Sequence, residues 1–159
     1  MESPTADLEE FVAAAHAFIA WVDEERATDL RMLHRLLARV QQTVVSLSHP
    51  SDPGDGDEPA DDRPAYDVVR RRLAGLPLDS YAVVFDALEP GDVEPVKAAL
   101  SDDLADIYHD ILDGFRYLDA GNAARAIRQW RWGYYAHWGR HLVHAQCAIW
   151  QHLANDGDA

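Results

Sequence analysis

The chain has 159 residues, 28 of them Asp or Glu against 14 Lys or Arg, for a formal net charge of −14. That length makes one domain with a core of its own, and that charge argues against sequence-independent nucleic-acid binding, whose affinity comes from Lys and Arg neutralising phosphates. No apolar run approaches the roughly 18 residues of a membrane span, and the acidic start lacks the basic region of a signal peptide.

A cytoplasmic protein is therefore expected, and the single cysteine, Cys147, excludes an internal disulfide. Aspartate dominates the acidic residues and Lys97 is the sole lysine. Such a surface stays hydrated in concentrated salt and suits a salt-adapted cytoplasm.

The first helix is expected from about Asp7 to Glu25. Leu8, Phe11, Ala15, Phe18 and Val22 form its apolar stripe, and Asp7 with Glu10 has the spacing of a capping box. Thr28 is the expected N-cap of the second, in which Leu30, Leu33, Leu37, Val40, Val44 and Leu47 trace the seam of a packed helix pair. The short link near Arg26 makes the two a hairpin. Residues 48–64 are rich in Pro, Gly and Asp and read as a mobile loop with nothing to bury.

A short helix from Ala65 to about Ala74 ends at Gly75 and Pro77. Its Arg70, Arg71 and Arg72 form the only basic cluster, and consecutive positions point in different directions around a helix. The apolar run from Tyr81 to Phe85 has no evident partner strand, which favours a helical turn or buried irregular segment. Ser101 is the expected N-cap of an acidic helix reaching Ala120, with Asp102 and Asp103 at the positive end of its dipole and Gly121 as the stop. From Asn122 to about Asn155 no proline interrupts the helical pattern, and Gly133 or Gly139 is the place for a bend.

Two chemistries are written on the last two helices. Asp106 and Asp110 form a DxxxD pair, His137 and His141 an HxxxH pair, and carboxylates facing imidazoles in a bundle core can hold a divalent metal. The wheel places Leu104, Ile107, Ile111 and Phe115 opposite the row Asp102, Asp103, Asp106, Asp110 and Asp113, the pattern of an amphipathic helix whose acidic face meets water. His137, His141 and His144 border the apolar stripe Ile127, Trp138, Leu142, Ala145, Ile149 and Leu153. Trp138 is expected to be buried and His141 to bond an aspartate of the acidic helix. Trp138 also stands where an HExxH zinc motif needs its glutamate.

A second apolar face, Trp132, Gly139, Val143 and Trp150, is a candidate partner surface. It is covered either by the helix from Ala65 and the Tyr81–Phe85 segment of the same chain, or by a second copy. Arg131 followed by His137 in "RWGYYAH" resembles the Arg-to-His motif of the dimeric helical ribonucleases called HEPN proteins, which implies action on an RNA phosphodiester. Bulky Trp132 follows the arginine where that motif commonly has a polar residue.

"DDLADIYHDILDGF" followed by "IRQWRWGYYAHWGRHLVHA" resembles a bacterial family known as domain of unknown function 5063. The likeness is best over Ser101 to Leu153 and extends more loosely to "FVAAAHAFIAWVD" and "YAVVFDALEP". Trp150 stands where the family pattern places histidine. The resemblance implies a small all-helical protein and names no activity, cofactor or substrate.

The sequence thus predicts a single-domain all-α bundle of four to five main helices with a long C-terminal helix. The favoured function is a non-catalytic scaffold or interaction module, with a protein partner or a second copy as its ligand and no cofactor. The alternatives are a metal-dependent hydrolase built on Asp106, Asp110, His137 and His141, and a HEPN-like ribonuclease using Arg131 and His137.

Overall fold

The computed structural model describes residues 4–24, 28–50, 56–91 and 93–156. Helix α1 spans Pro4–Asp23 and α2 Leu30–Ser46, and the two pack on each other. Along α2 the predicted seam is the buried side, with Leu33, Leu37 and Val40 fully enclosed. Helix α1 starts earlier than its capping-box pattern suggests. Proline suits a first turn, where its missing N–H has no helical acceptor to reach, and Asp7 still falls in the first turn. The cap of α2 is Asp29 rather than Thr28: its Oδ1 accepts from the Met32 N–H at 3.0 Å. The link at residues 25–27 lies outside the described residues.

Helix α3, Tyr66–Arg72, packs on α1 and α4. Strands β1, Ser80–Val83, and β2, Val96–Ala99, pair antiparallel with Tyr81 opposite Ala98. This corrects the expected helical turn: the partner strand exists, separated from β1 by the acidic stretch 84–95. The hairpin also starts the next helix. Helix α4, Leu100–Asp119, has Ala99 as its N-cap, and Asp79 accepts for it. Its carbonyl takes the Leu100 N–H at 2.7 Å and its Oδ1 takes the Ser101 N–H at 3.0 Å. Ser101, the expected cap, is instead a buried residue of the first turn.

Helix α4 occupies the centre, touching α1, α3, α5 and α6. It ends before Gly121, whose φ of 82° is a left-handed conformation that glycine adopts without penalty. Helix α5, Ala123–Gly133, follows behind the Asn122 cap, and α6 runs from Gly139 to Asn155. Between them Tyr134–Trp138 form a π turn, in which the Gly139 N–H reaches the Tyr134 carbonyl. The two glycines expected at a bend bracket this turn.

One π step adds about one residue to the turn, so α6 presents a face rotated by about 100° from that of an unbroken helix. Trp130 before the turn and Trp138 at its end are consequently both fully buried. Trp130 donates Nε1–H to the Ile111 carbonyl at 2.8 Å and packs on Phe11 and Phe115. Trp138 lies with Leu142, Ala145 and Ile149 in the core, as the stripe predicts.

The rotation breaks up the proposed partner face. Trp132, Val143 and Trp150 are 66%, 46% and 60% exposed, whereas Gly139 is buried, and a Cβ on it would stand 2.2 Å from the Tyr134 carbonyl oxygen. Gly139 therefore fits the helix against its own preceding turn and does not face outward. The expected internal cover also fails, since neither α3 nor β1 shields Trp150.

Residues 56–64 have no regular structure, as their composition predicts, yet they are tied to the bundle. Arg116, 9% exposed, donates Nε–H to the Ala60 carbonyl at 3.0 Å and bonds the Pro59 carbonyl and Asp113. Arg125 bonds the Gly56 carbonyl. The expectation that the segment packs on nothing overlooked its backbone: carbonyls need no apolar side chain to dock on buried guanidinium groups. Residues 51–55 lie outside the described residues.

Candidate metal centre

Helix α4 and the α5–α6 helix run in opposite directions: Ile111 meets Trp130, Asp110 meets His137, and Asp103 meets His141. Asp103 and Asp110 of the acidic row therefore lie against the histidine helix, while Asp102, its side chain 44% exposed, turns toward α3. Asp103 is 5% exposed. The helix is amphipathic, and much of the side opposite its aliphatic residues meets polar side chains from other elements.

Those five carboxylates are divided among different partners. Asp102 pairs with Arg70 at 2.5 Å, and Asp113 accepts from Arg116 and from Gln129 Nε2 at 2.6 Å. Asp103 and Asp110 each take one imidazole. His137 Nδ1 lies 2.6 Å from Asp110 Oδ2, and His141 Nδ1 lies 2.8 Å from Asp103 Oδ1. The Tyr81 hydroxyl donates to the other Asp103 oxygen, which fixes that carboxylate from the β1 side. Asp106 has His141 Nε2 at 3.6 Å from its Oδ2 and takes a hydrogen bond from Tyr66.

Electrostatics follow this arrangement. The hydrogen bond that His141 donates to Asp103, against the cost of burial and with the charge of Asp106, raises His141 above its ordinary 6.5. Burial raises Asp106 above the ordinary carboxylate value, opposed by the charges of His141 and His137. His109, one turn along α4, shifts the other way because burial and Arg63 disfavour its cation. Its Nε2 is buried and has no hydrogen-bond partner among the described residues.

Asp106, His137 and His141 each offer a ligand atom, and the three atoms lie within 4.8 Å of one another. Ligands about 2.1 Å from one tetrahedral ion stand roughly 3.4 Å apart, so the three atoms would have to draw closer together around an ion. With Nδ1 of each ring held by its own carboxylate, Nε2 is the nitrogen left for an ion. This is the outer-shell pattern that orients metal-binding histidines and raises their basicity.

Of the four predicted ligands, then, three converge, and Asp110 supports His137. Asp103 and Tyr81, which contact this cluster, are the residues that spacing did not single out. Asp103 precedes the DxxxD pair by one turn, and Tyr81 comes from a strand whose pairing depends on a distant segment.

Arg131 and His137 are held by different neighbours. Arg131 bonds the Leu47 carbonyl at the end of α2, while His137 faces α4. The described residues give this pair no common site.

The fold and site together define a helical bundle with a small hairpin and a two-histidine, one-aspartate cluster on its central helices. The family model for domain of unknown function DUF5063 matches residues 2–155, and the chain belongs to that family. It is similar to the crystal structure of protein BF1032 from Bacteroides fragilis, with 25% identity, a TM-score of 0.72, and 90% of this chain and 89% of that one covered. No curated protein matches it. Among the described residues no helix is long and apolar enough to cross a membrane.

Proposed function

We propose that this chain is a divalent-metal protein whose ion is held by Asp106, His137 and His141. The observation that carries the reading is the paired support: each imidazole has its Nδ1 engaged by a separate carboxylate, and a third carboxylate, Asp106, offers a ligand atom within 4.8 Å of one from each ring. Burial without a cation disfavours the ionised form of Asp106, and a bound ion would remove that cost. Two imidazoles and one carboxylate suit zinc or another first-row transition metal.

Three protein ligands leave a position for water or substrate, which is the ligand count of hydrolytic zinc sites and one short of the four that close a structural site. Hydrolysis by metal-activated water is therefore the reaction class favoured. Elemental analysis of protein purified without an affinity tag tests the reading: about one equivalent of transition metal is expected. Metal-free protein that takes up no zinc in calorimetry would end it.

A non-catalytic interaction module is the second reading, favoured by Val143 and Trp150. Both are exposed on α6, at 46% and 60%, and nothing within the described chain covers them. A second copy is the partner this reading commits to.

A further inference from the structure

A second cavity, of about 500 Å³, opens at the end of α2 against the outer face of α5 and the π turn. It is lined by His49, Arg128, Arg131, Trp132, Tyr135 and Ala136. Positions 128, 131, 132 and 135 step by 3, 1 and 3 and so share one side of a helix. On a chain of net charge −14 this lining is exceptional, because it joins two guanidinium groups and an imidazole with no carboxylate.

Arg131 anchors the cavity floor. It donates Nη1–H to the Leu47 carbonyl, and its buried Nε has no hydrogen-bond partner among the described residues. Arg128 is exposed, and among the described residues no carboxylate pairs with either arginine. Trp132 and Tyr135, 66% and 72% exposed, supply two aromatic faces with little of their surface packed on the protein.

We infer that this cavity is a binding site for a small phosphate monoester carrying a planar ring, a mononucleotide in its chemistry. Arg128 presents a forked donor pair to phosphate oxygens, a geometry that suits guanidinium better than ammonium, and Arg131, fixed by the Leu47 carbonyl, adds a second positive charge beside it. Trp132 and Tyr135 provide stacking surfaces for the ring, a contact that tolerates any base because it requires only a π face. The cavity volume is within the range of small-ligand sites. The site is separate from the Asp106, His137 and His141 cluster and needs no metal.

Calorimetry on the full chain, with a metal chelator present, tests this with 5′-AMP, adenosine and inorganic phosphate as probes. AMP should bind at least about tenfold more tightly than either fragment, and Arg128→Ala and Trp132→Ala should each weaken it about tenfold. Both side chains are exposed, so circular dichroism should show unchanged folding. Absence of AMP binding up to roughly 1 mM, or wild-type affinity in both variants, would overturn the assignment. Phosphate binding as tightly as AMP would overturn the role given to the rings.

Discussion

Gly114 and Trp130 share one place in the bundle: a Cβ on the glycine would lie 2.0 Å from the tryptophan Nε1, the same nitrogen that donates to the Ile111 carbonyl. The bare backbone of α4 at Gly114 is what lets the buried tryptophan of α5 approach so closely. Gly114→Ala should cost about 1 to 3 kcal/mol or more by overpacking, even though alanine favours helix. Chemical denaturation reads this directly, and an unchanged midpoint would show that Trp130 relaxes freely.

Trp138 is fully buried and donates to the Trp130 carbonyl at 3.3 Å. Trp138→Ala should cost about 3 to 5 kcal/mol, the range for deleting a buried large aromatic. A variant melting with the parent protein would contradict its place in the core.

Removing a ligand and removing its support should differ in degree. Asp106→Asn should abolish stoichiometric zinc binding, while Asp110→Asn and Asp103→Asn should each weaken it about 10- to 100-fold. Equal behaviour of all three in competition titrations would mean that the roles assigned to them are wrong.

Three histidines should titrate in opposite directions in the metal-free protein. His141 is raised above 6.5 by the Asp103 hydrogen bond, whereas His109 and His144 are lowered by burial. The His141 contribution to stability is therefore full below 6.5 and lost as pH rises through its folded value. His109 and His144 act oppositely, penalising the folded state as pH falls below 6.5 toward their lowered values. Ring C–H shifts followed by NMR should place His141 above the other two; the reverse order would refute the pairing with Asp103.

Arg116 holds Asp113 and the carbonyls of Pro59 and Ala60 together. Arg116→Met should cost about 1 to 3 kcal/mol by leaving these acceptors unmatched, and protease should cut residues 56–64 faster. Unaltered cleavage would show that the segment is not held by this contact.

Self-association follows from the second functional reading. Val143→Glu should convert a sedimenting dimer to a folded monomer, because it places a charge on an exposed position and not in the core. Wild-type protein that remains monomeric at high concentration would remove the second copy as the partner.

Helix α2 was legible because its seam repeats without interruption from Leu30 to Leu47 and burial follows it. The β hairpin was not: Val96–Ala99 contains two alanines and one lysine, a composition with weak strand preference, and its partner is separated by an acidic stretch. The metal candidates could be found from DxxxD and HxxxH, but a helical wheel shows only which side of α4 is polar. Whether water or an imidazole meets that side depends on the register of another helix. The π turn was equally hidden, since spacing rules assume an even period.

That turn gives length a meaning along 130–142. Deleting one residue from Tyr134–Trp138 would restore an ordinary helix, and the chain would then have to choose which of Trp130 and Trp138 to withdraw from α4. A gap of one at this place in a related sequence would therefore mark a relative with a different helix phase, in which the geometry joining His137 to Asp110 and His141 to Asp103 is no longer inherited. Conversely, a relative that keeps the length but loses the histidines would retain the bundle while giving up the proposed ligands, so insertions and deletions here carry information about chemistry that substitutions alone do not.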